Sequence, residues 1–293
     1  MPTAAVLLLA LLPAAPQPGH PKSFWSSIAQ QKHALPAGES AAPLAAELVA
    51  SLGSPDPELR DDLAFSILTS WIYTQKLLGP ADLRSIVQTL QGNLRRGIGG
   101  PESDQVLLRS FSALTLSVIA SRDNADPFMT AAEYQGLLDA ALAYLREERD
   151  LRGFDAAKGW MHSAAHTADL LKFLARNTKL RTADQARILS AITAKNRDAA
   201  SPFVQGEDER MARVVISIVR RADFDRTAFT VWLADAKAQA AFPKQPSVET
   251  LRSQQNLRRL LSSLWSSLTA DERPSDGAEF ARTSLREALK TLY

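Results

Sequence analysis

The chain has 293 residues, no cysteine, and 34 Lys+Arg against 32 Asp+Glu, a formal net charge of +2. These figures exclude a disulfide scaffold, a thiol nucleophile, cysteine-based metal sites and cysteine lipidation. With 45% hydrophobic and 23% charged residues it reads as an ordinary folded chain, and the even charge leaves no footprint for nucleic acid.

The first charged residue is Lys22, preceded by an unbroken apolar run from Ala4 to Leu12. Nine residues are too few to span a bilayer, but they suit the apolar region of a secretory signal. Residues 1–19 are therefore expected to be a signal peptide or apolar leader. Residues 20–293 are expected to form a single helical-repeat domain. Export is the expectation, with a cytoplasmic chain as the alternative, and no integral membrane segment is expected beyond the leader. The n-region lacks Lys and Arg, and Pro16 directly follows Ala15, the best small-residue cleavage position.

Past residue 40 the pattern is helical almost throughout. Asp56 reads as an N-cap with Pro57 at the first helical position. Helices are expected around 81–94, 131–148, 182–195, 226–239 and 278–292. Thr130 with Glu133, and Thr182 with Gln185, read as capping boxes. Asp104 and Asp155 are further N-cap candidates. Gly79-Pro80, Gly97 to Pro101, Asp126-Pro127 and Ser201-Pro202 break the pattern. The β-branched run Val214 to Val219 has helix formers on both sides and reads as buried helix. Trp25 with Phe24, and Trp71 with Tyr73, are expected as core anchors.

Several helices open with an acid, carry Arg four or five residues on, and then turn apolar. Aligning Arg60, Arg109, His162 and Arg213 gives steps of 49, 53 and 51 residues. A period in this range with two helices per unit predicts an all-α, HEAT/ARM-like right-handed α-solenoid of about five helix pairs. A closed α/α toroid or an irregular helical bundle is the alternative. Arg60, Arg109 and Arg213 are candidates for a ladder bonded to acids of neighbouring repeats.

Residues 150–169 hold the densest chemistry. At roughly 100° per residue, His162, His166 and Asp169 fall on one stripe about 60° wide if all are helical. Imidazole and carboxylate suit Zn²⁺, Mn²⁺ or Fe²⁺, so these three are the candidate metal ligands, with Asp150, Asp155 or Asp61 as a further one. Asp150, Arg152, Asp155, Lys158 and Trp160 precede them, and Arg60, Asp61 and Arg109 complete the candidate pocket. A bland reading stands beside it: Asp155 caps the helix, Gly153 supplies a positive-φ turn, Trp160 anchors in the core, and Arg152 and Lys158 pair with Asp150 and Asp155.

The segments Ser54 to Asp62, Leu108 to Leu114, Asp150 to Asp155, Lys158 to His162 and Ala165-His166 together resemble an uncharacterised bacterial family, domain of unknown function 2785. The similarity covers most of the chain from about residue 24 onward. It implies a bacterial helical protein and brings no activity, cofactor or catalytic residue with it. On sequence alone the chain is best read as a binding or interaction module with a polar pocket on its inner face, for an unknown protein or small-molecule ligand. The alternative is a metal-assisted hydrolase that uses the His/Asp cluster and a divalent metal.

Overall fold

The structure, a computed structural model, describes residues 19–292; the leader lies outside the described residues. It is all-helical but for one short hairpin. The helices are α1 (Lys22–Gln30), α2 (Ala41–Ser51), α3, α4 (Pro80–Asn93), α5 (Gln105–Ala125) and α6 (Ala131–Glu147). After the hairpin follow α7 (Ser163–Arg176), α8 (Thr182–Asp198), α9 (Glu207–Val219), α10 (Arg226–Ala240), α11 (Val248–Thr269) and α12 (Asp276–Leu289). Helix α3 is one run of three contiguous pieces, with wide-turned Glu58–Phe65 and Ser70–Thr74 flanking α-helical Ser66–Thr69. The hairpin pairs β1 (Phe154–Asp155) with β2 (Gly159–Trp160) in antiparallel register.

Local chemistry explains most helix starts. Asp56 Oδ1 accepts the backbone N–H groups of Glu58 and Leu59, so it caps α3 as its sequence context predicts. Thr130 and Glu133 form the expected capping box of α6. The second predicted box is a correction: Arg181 is the N-cap of α8, without a side-chain cap bond. Gln185 instead bonds the Asp223 carbonyl and the Asp225 N–H across the α9–α10 loop, while Asp184 is held by Arg181 and Arg187. Val214 to Val219 is indeed buried helix within α9. Trp25 and Trp71 lie in the core, but Tyr73 is exposed.

Helix α5 packs along α7, α7 along α9, and α9 along α11. The even-numbered helices make a second series, with α6 on α8, α8 on α10 and α10 on α12. One cluster of buried apolar side chains runs between these series from Trp25 to Leu292. No described helix is long and apolar enough to cross a membrane. Helices α6 and α7 are separated by residues 148–162, and this connection carries most of the predicted site.

Candidate functional site

The connection begins where α6 ends, at buried Glu148. Its carboxylate accepts two bonds from Arg109 of α5, at 2.6 Å from Nε and 3.0 Å from Nη2. A third Arg109 bond goes to the Arg96 carbonyl, in the loop after α4. Burial lowers the guanidinium pKa, yet the carboxylate beside it outweighs burial and leaves it raised. Asp150 then takes the guanidinium of Arg152, which also reaches the Ser103 carbonyl. Ser163 Oγ donates to the Asp150 carbonyl and closes the root of the loop.

The hairpin itself is seated on α3 and α5. Arg60, with no exposed surface, donates from Nη2 to the Lys158 carbonyl at 2.7 Å and from Nη1 to the Ser54 carbonyl at 2.9 Å. Its Nε lies 2.6 Å from Asp61 Oδ1, and its guanidinium stacks over Phe111. Burial raises the Asp61 pKa, and Arg60 only partly offsets that. Asp155 accepts the N–H groups of Ala157 and Lys158, which lower its pKa. It therefore shapes the turn and does not cap a helix. Gly159 completes that turn at φ +71°, and a side chain there would press on Pro57 and Arg60.

Several expectations need correction here. Lys158 pairs with Asp104, across on the start of α5, and not with Asp155. Gly153 does not adopt positive φ; it leaves room for Gln205 Oε1, which accepts the Phe154 N–H where a Cβ would stand. Trp160 is 40% exposed, not a core anchor. Arg213 is exposed and sits 4.0 Å from Glu209 of its own helix, so it belongs to no ladder with Arg60 and Arg109.

The histidine stripe also changes. His162 precedes α7 and has left-handed backbone at φ +48°, a conformation that turns the chain from the hairpin into the helix. Its ring stacks on Trp160 and its Nε2 lies 3.4 Å from Glu207 Oε1 at the start of α9. Burial raises the Glu207 pKa, but His162 and the backbone N–H of Gln205 more than offset it and leave it lowered. His166 is buried behind Phe111, with Nδ1 2.8 Å from Ser110 Oγ. Ser110, fully buried, also bonds the Met161 carbonyl. Asp169 stands apart, paired with Lys172 and Arg210. The three candidate metal ligands thus have different partners, and among the described residues no three His, Asp or Glu side chains converge as a metal site.

The structure therefore gathers Arg60, Asp61, Lys158, Trp160, His162 and His166 around the hairpin. It gathers Arg109, Asp150 and Arg152 at the root of the connection. Sequence reasoning missed Glu148, Glu207 and Ser110. Acids at helix ends read as capping or dipole residues, and one serine among the several of α5 gives no signal. Ser110 has no exposure and His166 is almost fully buried. Most of the cluster's groups bond one another and hold the connection in place, while Arg60 Nε, Asp61 Oδ1 and His162 Nε2 are buried with ion-pair neighbours but no hydrogen bond. What reaches the surface is Phe154, 55% exposed, with Trp160 at 5.2 Å between ring centroids.

Burial holds His166 neutral, with its pKa well below the ordinary 6.5. The unfolded chain then binds a proton that the native state refuses, so His166 costs stability as pH falls below about 6.5 and costs nothing well above it. One such group steepens the loss by up to about 1.4 kcal/mol per pH unit. Urea midpoints measured between about pH 7.5 and 5.5 should fall for the wild type and fall less for His166→Asn. Equal slopes would show that His166 is protonated in the native state.

The model of DUF2785, described as a protein of unknown function, matches residues 94–266. The match spans the last residue before the 95–104 loop through most of α11, and so includes the whole braced connection. No curated protein and no solved structure is significantly similar. The chain belongs to the DUF2785 family.

Proposed function

We propose that the chain is a non-catalytic binding module, a right-handed HEAT-like α-solenoid of about five helix pairs in a single domain. The two series of helix contacts and the continuous apolar cluster support that architecture, because stacked helix pairs bury one common core. One observation carries the functional reading: two large aromatic rings, Phe154 and Trp160, stand side by side at the surface on a hairpin seated by the buried guanidinium of Arg60. Rigid exposed aromatics are what protein interfaces use as anchors, because they bring area at little entropic cost. The ligand under this reading is a protein partner.

The test is affinity capture from the native source with wild type and the Phe154→Ser/Trp160→Ser variant, after both are shown to have the same Tm. A partner identified with wild type should lose about 2 kcal/mol or more of binding free energy with the variant. Equal binding would sink the assignment of the hairpin. The apolar run at residues 4–12 supports export of the chain. N-terminal sequencing of the native protein tests this, since a retained leader would contradict it.

A further inference from the structure

A second feature lies apart from the hairpin face. Helices α6 and α8, with the start of the connection, line a partly open cleft of about 780 Å³. Its apolar wall comes from Leu142, Leu151, Ala191 and Ala194. The two alanines keep α8 thin along the face toward α6, at helical spacing with Arg187, Lys195 and Asp198. The volume is in the range of pockets that hold small organic molecules.

The charges in this cleft do not balance. Arg146, Arg149, Arg187 and Lys195 line it, against Glu148 and Asp198. Glu148 is already neutralised by Arg109, and Asp198 by Arg197. Among the cations, Arg187 has Asp139 and Asp184, and Arg146 has Glu147. Among the described residues Lys195 makes no direct ion pair, although the Glu148 and Asp198 carboxylates lie near enough to act on it. Only 7% exposed, its ammonium donates to the Glu148 backbone carbonyl and leaves further N–H groups for another acceptor. A buried ammonium that bonds no carboxylate directly is costly and favours an anionic acceptor. Arg149 stands at the rim as an exposed cation.

We propose that this cleft binds a small organic carboxylate, its head group on Lys195 and its apolar body against Leu142, Leu151, Ala191 and Ala194. The site is independent of the hairpin surface. Desolvation holds Lys195 down at about 8, against the pull of Glu148 and Asp198, so its charge is readily lost at mildly alkaline pH. A bound carboxylate supplies the charge that keeps it protonated.

Calorimetric titration with octanoate, octan-1-ol and inorganic phosphate tests the proposal, since these separate the charged head from the apolar body. Octanoate should bind saturably and more tightly than either of the others. Lys195→Met should weaken it about tenfold or more, the worth of a charge-assisted hydrogen bond. Ala191→Phe, which fills the cleft and leaves the ammonium, should abolish binding even if the lysine variant folds poorly. Octanoate affinity in the wild type should also decline as pH rises through about 8. The proposal is overturned if octanol binds as well as octanoate, if phosphate does, if octanoate does not saturate, or if both variants bind it as the wild type does.

Discussion

Replacement of Arg109 by methionine is expected to lower stability by about 3–5 kcal/mol, because it leaves the Glu148 carboxylate buried without its counter-charge. For a chain of this size that is a fall in Tm on the order of 10 °C. The loss exceeds that of an ordinary ion pair because both side chains are almost completely buried. Arg109 also ties the Arg96 carbonyl to α5, so the loop after α4 loses its anchor as well. Replacing Glu148 by leucine in the same chain should recover much of the deficit, since no buried charge then remains unpaired. Denaturant unfolding of the two single variants and the double variant checks this. Additive losses would mean that the pair contributes no mutual stabilisation.

Gly277→Ala is expected to be comparably severe. A Cβ at Gly277 would stand 2.1 Å from the Val219 carbonyl oxygen and 2.8 Å from the Phe224 ring. A backbone carbonyl at the end of α9 cannot swing aside, so α12 must move off its seat. That movement uncovers Ala278, Ala281 and Leu285, which are all buried against the rest of the core. The cost should be about 3 kcal/mol, at the upper end for overpacking. Protease should then cleave first near the start of α12. Gly153→Ala makes the contrast. Its Cβ would fall even closer to an atom, 1.3 Å from Gln205 Oε1, but that atom ends a flexible side chain. Gln205 can swing away, and the loss reduces to its bond with the Phe154 N–H, about 1 kcal/mol. Thermal melts of both variants check the order, and an equal or larger loss for Gly153→Ala would contradict it.

The helices were legible where local chemistry decides them. Thr130 with Glu133, the breakers at Gly79-Pro80 and Ser201-Pro202, and the apolar spacing between them place α4, α6, α8 and α10 within a few residues. The hairpin at 154–160 was not legible. Two-residue strands have no periodicity, and its seat is made by Arg60, 98 residues before the carbonyl that it binds. The histidine stripe was misread for a related reason. A helical projection through His162 assumes helical backbone, and His162 has left-handed φ. Trp160 was expected inside because tryptophan usually is; here one face lies on His162 while the other side meets solvent. Within residues 150–169 the structure ties Asp150 to Arg152, His162 to Glu207, His166 to Ser110 and Asp169 to Lys172 and Arg210, partners that lie too far along the chain for local spacing to reveal, Arg152 and Lys172 excepted.

Buried polar groups fix the 148–162 connection, so its aromatic pair is held in place. Amide hydrogen exchange tests it most directly. The N–H groups of Met161 and His162 bond to the carbonyls of Gly153 and Arg152. In the wild type they should exchange about as slowly as the amides of α7, and in Arg109→Met at least about tenfold faster, while α12 is unchanged. Exchange of these two amides at unprotected rates in the wild type would contradict the account.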